Sequence, residues 1–358
     1  MMAPPVGFWV VMAFLLGACV GSFLNVVIYR LPIASKDLNL NQPRWSFCPH
    51  CQHRLMPWEL VPLISFLLLG RRCRTCKRPI AWRYFGVELL TATLFAALVW
   101  FTQANPATAV ALLAFTAVLV PIAFIDLERF EIPLSLTLLS TLIPLARDLW
   151  GVLSREPAHE LLWGWMPRSA LGALIGVLIF GTVRVAGWLW KRVEAMGLGD
   201  VLLARGIGAM LIAVTPAGAH PLRLFPVWVL LSCLSGIVVG YPIILWRNRQ
   251  QEGQELHERA ENSAQDAAAT DTQGTLWEQL RDIGWCLWLG DLGEYWRSVR
   301  GQQPAATDAP EAEEWRPEPS AIPFGPFLAI GFLATVFLGE WLTKAYLDYA
   351  FPPAPPGP

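Results

Sequence analysis

The sequence predicts an all-α polytopic membrane protein with about eight transmembrane helices and a small cytoplasmic loop domain resembling a zinc ribbon. Three observations lead to this fold class. Hydrophobic residues make up 54% of the 358 residues and charged residues only 15%, which is far more apolar than a soluble domain. Apolar runs long enough to cross a bilayer recur along the chain. One polar loop carries two Cys-x-x-Cys pairs, a spacing typical of zinc sites.

The predicted spans are runs of about 20 apolar residues, each able to cross roughly 30 Å as a helix. The opening run lacks a basic segment before it and is long enough to span the bilayer, so we expect it to stay in the mature protein. The runs lie at approximately 6–29, 84–103, 107–126, 132–150, 169–190, 200–217, 224–246 and 322–343.

The charges of the loops predict the orientation of these spans. Between the first two spans, ten Lys and Arg residues face only two acids, Asp37 and Glu59. Such an excess of positive charge marks a cytoplasmic loop. Alternation from there places both chain ends outside and the turns at 127–131 and 191–199 inside. The net charge of −1 gives no indication of a nucleic-acid partner.

The predicted domains follow these boundaries. A long polar segment near the carboxyl end is rich in Glu, Gln, Asp and Pro, which favours a largely disordered cytoplasmic insert. Leucines at helical spacing with interleaved tryptophans predict an interfacial helix near 275–298, or a partner-binding helix. The domains are a first transmembrane helix (1–30), a zinc-binding loop domain (31–83), a transmembrane catalytic core of six helices (84–246), the acidic insert (247–318), and a last transmembrane helix with a tail (319–358).

The two cysteine pairs lie in the basic loop, Cys48 with Cys51 and Cys73 with Cys76. Four thiolates suit a tetrahedral Zn²⁺ ion, and a full set of four protein ligands indicates a structural role and not a catalytic one. Two disulfides are the alternative, and a reducing cytosol disfavours them. The sequence therefore predicts a structural zinc site at the cytoplasmic face.

Two aspartates lie at the ends of apolar runs on that same face. Asp200 follows Gly197-Leu198-Gly199, and the glycines allow close approach of backbone or substrate and a positive φ in the turn. Taken alone, Asp200 is interpreted as a helix N-cap. Asp126 ends the third run. Ionisable groups at membrane helix ends indicate function, and bundling of the helices can bring the two acids together.

Paired carboxyl groups a few ångströms apart share one proton, so that one acts as general base toward water and the other as general acid. This is the chemistry of an aspartic peptidase. The chain has no GxSxG elbow and no HExxH motif. Asp126 and Asp200 are therefore the predicted catalytic residues, with Gly197 and Gly199 forming the active-site turn.

These motifs together resemble the bacterial type IV prepilin leader peptidases, membrane aspartic peptidases of the GxGD type. Further segments carry the same resemblance: Gly-Ser-Phe-Leu-Asn-Val-Val-Ile-Tyr-Arg-Leu-Pro at 21–32, Val-Glu-Leu-Leu-Thr at 87–91 and Ile-Pro-Phe-Gly-Pro-Phe at 322–327. The resemblance implies a multi-pass protein of the bacterial inner membrane. It also implies cleavage of the leader from type IV prepilins or type II secretion pseudopilins, with Asp126 and Asp200 as the catalytic pair.

Family members with the tetracysteine loop are typically bifunctional, so the resemblance also implies methylation of the new N-terminus with S-adenosylmethionine. The implied partners are prepilin or pseudopilin precursors and the lipid bilayer. Two positions depart from the family pattern: Leu202 replaces a usual lysine, and Leu134 replaces an acid or amide. Two alternatives remain open, namely a catalytically reduced scaffold for pilus assembly and a proton-coupled transporter that uses the same carboxyl groups.

Overall fold

The computed structural model describes most of the chain up to residue 249 and the last helix. The described residues are 5–33, 40, 43, 45–102, 105–156, 161–162, 165–192, 196–215, 219–242, 245, 249 and 323–350. The acidic insert predicted at 247–318 and the interfacial helix predicted near 275–298 lie outside the described residues, apart from position 249.

The described residues are mostly helical, as the fold class predicts. One short antiparallel strand pair, β1 (Leu161–Leu162) and β2 (Met166–Pro167), lies between two helices. The helices are α1 (Val6–Arg30), α2 (Ile64–Leu68), α3 (Trp82–Phe101), α4 (Pro106–Arg129), α5 (Leu134–Leu153), α6 (Arg168–Lys191), α7 (Leu198–Ala213), α8 (Leu224–Ser235, continued by a π-helical turn to Gly240) and α9 (Gly325–Ala350).

Six of the described helices, α1, α3, α4, α5, α6 and α9, are long and apolar enough to cross a membrane. They coincide with six of the eight predicted spans. The runs predicted at 200–217 and 224–246 form the shorter helices α7, of 16 residues, and α8, an apolar helix that ends with its π-helical turn at Gly240. A 16-residue helix is only about 24 Å long, less than the hydrocarbon thickness.

The helix α7 is the inner element of the bundle, and it packs against α5 and α6. Every residue from Gly206 to Ala213 is buried. Gly172 on α6 meets Gly208 on α7, where a Cβ added to Gly172 would lie 2.2 Å from the Gly208 carbonyl oxygen. Only glycine allows the two backbones to come this close. This packing fixes the position of α7, and with it the position of Asp200.

Two further helix pairs complete the bundle. The helix α1 packs along α3, and α8 packs along α9. On α9, Phe332 is fully buried and its ring lies 5.0 Å from that of Phe115 on α4, so α9 is also fastened to α4. The amino end of α9 therefore comes to lie beside the carboxyl end of α4.

The chain divides into two compact units. The first comprises Met1–Val239 and Pro323–Pro358 and contains all of the elements named above except the end of the π-helical turn. The second, Gly240–Ile322, is described at only a few residues.

Candidate active site

Asp126 lies in the last turn of α4. The helix ends after Arg129 because Phe130 adopts the left-handed conformation, with φ of 57°. Asp126 is only 4% exposed. Its Oδ2 atom accepts a hydrogen bond of 2.9 Å from the backbone N–H of Gly325, the first residue of α9. A buried carboxyl group is thus held in place by a residue 199 positions away in sequence.

Asp200 is the third residue of α7 and is 9% exposed. The interpretation of Asp200 as a helix N-cap is wrong, because α7 begins at Leu198 and its N-cap is Gly197. Gly197 has φ of −63°, so the positive φ considered for this turn is also wrong there. Instead, the backbone of Gly197 lies beside the carboxyl group of Asp200. A Cβ added to Gly197 would lie 3.1 Å from Asp200 Oδ2.

Gly199 has a different role from Gly197. A Cβ added to Gly199 would lie 2.8 Å from Cβ of Ile132, in the turn between α4 and α5. Ile132 Cδ1 also lies 3.1 Å from a Cβ added to Gly325. One isoleucine therefore contacts both the turn that carries Asp200 and the helix start that holds Asp126.

These contacts bring the two predicted acids to the same end of the bundle, where Ile132 links the residues beside them. Neither acid has a cation as a described ion-pair partner. Among the described residues, Asp200 Oδ1 also has no hydrogen-bond partner although it is buried. A buried acceptor without a partner costs about 1–3 kcal/mol, so this oxygen is suited to hold a water molecule or a substrate group.

The four cysteines of the loop come together as predicted. Their Sγ atoms all lie within 4.8 Å of one another, and the separations between Cys48 and Cys76 and between Cys51 and Cys73 are both 3.9 Å. Tetrahedral zinc with Zn–S bonds of about 2.3 Å requires sulfur separations of about 3.8 Å. The cluster can therefore hold zinc, and the sulfur distances are far too long for disulfides.

The two cysteine pairs share one backbone design. In the first, Cys48 N–H donates to the His53 carbonyl at 2.9 Å, and Gln52 has a positive φ. In the second, Cys73 N–H donates to the Arg78 carbonyl at 2.9 Å, and Lys77 has a positive φ. In each turn the residue with the positive φ, Gln52 or Lys77, also donates its N–H to the carbonyl of the first cysteine.

The electrostatics of the second pair favour a thiolate. The backbone N–H of Cys76 donates toward Cys73 and lowers the pKa of its thiol to about 7, against the opposing effect of burial. A thiolate is the form that binds metal. A backbone hydrogen bond from His53 lowers the pKa of the Cys51 thiol, but burial and the neighbouring thiols together raise that pKa to about 11. The assignment of the loop as a metal site therefore rests on the sulfur distances and not on these pKa shifts.

The structure also shows contacts that the sequence did not suggest. Glu88 on α3 accepts a hydrogen bond of 2.7 Å from the backbone N–H of Leu63 in the loop domain. Arg83 donates to both carboxylate oxygens of Glu128 on α4, at 2.6 and 2.7 Å. These contacts attach the cysteine loop to the end of the bundle that carries Asp126 and Asp200.

The fold and the site define a multi-pass membrane protein with two buried carboxyl groups at one end of its bundle and a tetracysteine loop beside them. The chain matches two family models, the bacterial peptidase A24 N-terminal domain over residues 15–102 and the type IV leader peptidase family over residues 112–241. The second family is one of aspartic peptidases.

Curated relatives agree with these matches. A prepilin leader peptidase/N-methyltransferase of Myxococcus xanthus is 35% identical over 345 residues, which cover 93% of this chain and 91% of the relative. The proteins of that name from Aeromonas hydrophila and Pseudomonas aeruginosa are 38% and 35% identical, over 67% and 68% of this chain and 83% of each relative. No solved structure matches the chain. The chain belongs to the type IV leader peptidase family.

Proposed function

We propose that the chain is a membrane aspartic endopeptidase that removes the leader peptide of type IV prepilins or type II secretion pseudopilins at the cytoplasmic face of the inner membrane. We include in this proposal the methylation of the new N-terminus with S-adenosylmethionine. The observation that carries it is that Asp126 and Asp200, on different helices, are both buried, and that each adjoins a glycine, Gly325 or Gly199, that lies against Ile132.

The hydrogen bonds support different roles for the two acids. Among the described residues Asp200 Oδ1 is buried without a hydrogen-bond partner, so we assign to Asp200 the uptake of a proton from the attacking water. Asp126 is fixed through Oδ2 by Gly325 and carries the shared proton, which it gives to the peptide as general acid. Two close carboxyl groups hold one proton between them because both cannot ionise readily.

The position of the site suits this substrate class. Both acids lie near helix ends, and not at the middle of the bundle. A leader joined to an apolar segment reaches such a site when the apolar part stays in the membrane. The basic loop predicts that this face is cytoplasmic. We assign a structural zinc ion to the four cysteines, where it would fix the loop against the bundle.

The two alternative functions have weaker support. A transporter would use its acids as a relay across the membrane, whereas Asp126 and Asp200 lie at one end and are held by helix termini. The scaffold interpretation depends on Leu202, Leu134 and the unusual insert. Leu134 is 58% exposed at the start of α5, whereas Asp126 and Asp200 are buried.

The test of this function is cleavage of a pilin precursor by single variants in membranes. Asp126→Asn and Asp200→Asn keep the side-chain shape and remove the ability to share a proton, so each should lower the cleavage rate by about 10²-fold or more. Asp348→Asn, at an exposed position near the far end of α9, is the matched control and should cleave at the wild-type rate. Wild-type cleavage by either of the first two variants would refute the assignment.

A further inference from the structure

The short helix α2 of the cysteine loop has an apolar side that none of the described residues covers. Ile64, Leu67 and Leu68 stand at i, i+3 and i+4, so their side chains share one side of the helix. They are 56%, 65% and 81% exposed. We call these three residues the apolar face of α2. The segment just before the helix also exposes Trp58 and Val61.

Contacts on its other side fix α2 to α3. Phe66 is buried, and its ring lies 5.4 Å from that of Trp82 and 5.2 Å from that of Phe85. Just before α2, the backbone N–H of Leu63 donates to Glu88 at 2.7 Å. The helix is thus held at its start and at its middle. Its apolar face cannot turn toward the protein without breaking these contacts.

The side of α3 that receives α2 is the one that faces lipid. The helix α3 is one of the six long enough to cross a membrane. Exposed residues recur along it every three or four positions: Trp82, Gly86, Leu89 and Thr93. Its buried residues lie on the opposite side, which packs along α1. Because Phe66 contacts Trp82, the first residue of the exposed stripe, α2 projects from the bundle over the surrounding lipid.

The position and the charge of α2 agree with a place at the bilayer surface. Trp82 begins a spanning helix, and the ends of such helices lie where the lipid chains meet the headgroups, a region in which tryptophan is enriched. The guanidinium carbon of Arg71 lies 5.4 Å from the centre of the Trp82 ring. Arg72 follows and is exposed. Apolar side chains with arginines at their edge are typical of segments that lie on anionic membranes.

We propose that α2 lies in the headgroup region of the bilayer, with its apolar face inserted about 5–10 Å into the boundary between headgroups and lipid chains. Arg71 and Arg72 contact anionic headgroups there. The partner of this face is the surface of the same bilayer that the long helices cross. The contact holds the cysteine loop down on the membrane beside α3. This inference does not depend on the proposed peptidase or methyltransferase function.

The test is photolabelling of the full-length protein in vesicles of mixed zwitterionic and anionic phospholipid. The probe is a phospholipid with a photoreactive group near the start of its acyl chain. Trypsin cleavage after Arg44, Arg54 and Arg71 separates peptide 45–54, which contains the first cysteine pair, from peptide 55–71, which contains α2. Peptide 55–71 should carry about tenfold more label than peptide 45–54, because only its apolar side chains reach the lipid chains.

A pair of variants tests the apolar face itself. Leu67→Gln with Leu68→Gln makes the face polar and should lower the labelling of peptide 55–71 about fivefold or more. Leu67→Met with Leu68→Met keeps the face apolar and is the matched control, with labelling as in the wild type. Both positions are exposed, so both double variants should reach the membrane and contain as much zinc as the wild type.

A third comparison tests the arginines. In the wild type, labelling of peptide 55–71 should rise about threefold when anionic lipid replaces a third of the zwitterionic lipid. In Arg71→Gln with Arg72→Gln, the peptide that contains α2 should not respond to the anionic lipid.

Several outcomes would overturn the inference. Labelling of peptide 55–71 that does not exceed that of peptide 45–54 would do so, as would labelling that the two glutamines leave unchanged. Labelling that does not depend on anionic lipid would remove the role of the arginines. If Leu67→Gln with Leu68→Gln kept its lipid labelling but lost self-association, the apolar face would be a contact between two copies of the chain. If it kept its labelling but raised the KM for a precursor, the face would be a peptide site.

Discussion

Asp126 is held by a backbone group, the N–H of Gly325, and the absence of a side chain at that glycine is what makes room for the contact. A Cβ added at Gly325 would lie 2.7 Å from Asp126 Oδ2 and 3.1 Å from Ile132 Cδ1. Contacts this short do not occur between relaxed atoms, so the carboxyl group would have to move. A displacement of this kind is costly where proton transfer depends on geometry.

We therefore expect Gly325→Ala to lower the cleavage rate by about tenfold or more while the protein still inserts and folds. Gly86→Ala is the matched control, because no atom of the described residues lies within 4 Å of a Cβ added there. In a helix that substitution stabilises by roughly 0.5–1 kcal/mol. Equal cleavage rates for the two variants in a membrane assay would show that the Gly325 contact does not position Asp126.

At the residue scale, the sequence identified side chains but not the contacts between them. Asp126 and Asp200 were predictable because a charge at the end of an apolar run is costly unless it is used. Gly325 and Ile132 could not be assigned roles, because each acts through a contact with a residue far away in sequence. A glycine that must stay a glycine because of a distant carboxyl group has no local signature.

At the element scale, the cysteine loop consists of two similar turns whose sulfur atoms meet. It has little apolar core of its own; the buried residues of its described part include Phe66, whose ring packs 5.4 Å from Trp82 and 5.2 Å from Phe85 on α3. A loop with so small a core depends on a metal for its structure. The spacing of the cysteines predicted the ligands, whereas the docking of Phe66 on α3 could not be predicted from it.

The purified protein should contain about one zinc ion per chain. The double variant Cys48→Ser with Cys73→Ser should lose that zinc, because it removes one ligand from each of the two cysteine pairs. Cys19→Ser with Cys233→Ser is the matched control, since both of these cysteines are exposed and unpaired. The zinc contents of the two double variants are compared by elemental analysis. A wild-type zinc content in the variant that lacks Cys48 and Cys73 would refute the assignment of the cluster as a zinc site.

Hydropathy predicted the lengths of α7 and α8 less accurately than those of the other helices, because both were predicted as full membrane spans. Periodicity and apolar content cannot separate a buried helix from a spanning one when both are apolar all round. The helix α7 is apolar because protein surrounds it, and at 16 residues it does not need the full bilayer thickness. Its shortness follows from the turn before Leu198, which places Asp200 inside the bundle end.

At the scale of the whole molecule, the proposed site depends on how the helices are arranged and not on any one of them. The number and direction of the apolar runs predicted that the ends of α4 and α7 lie on one side of the membrane. They could not predict that α7 lies between α5 and α6, or that α9 returns beside α4. Those pairings are set by close glycine contacts and ring packing between distant segments.

The most direct test of this arrangement is chemical cross-linking of the two acid positions in membranes. The pair Asp126→Cys with Asp200→Cys should be joined by a short bifunctional thiol reagent, with the linked peptides identified by mass spectrometry. The control pair, Asp126→Cys with Asp348→Cys, spans roughly 35 Å along α9 and should not be joined. Failure of the first pair to link, in a protein that retains its zinc, would contradict the shared site of Asp126 and Asp200.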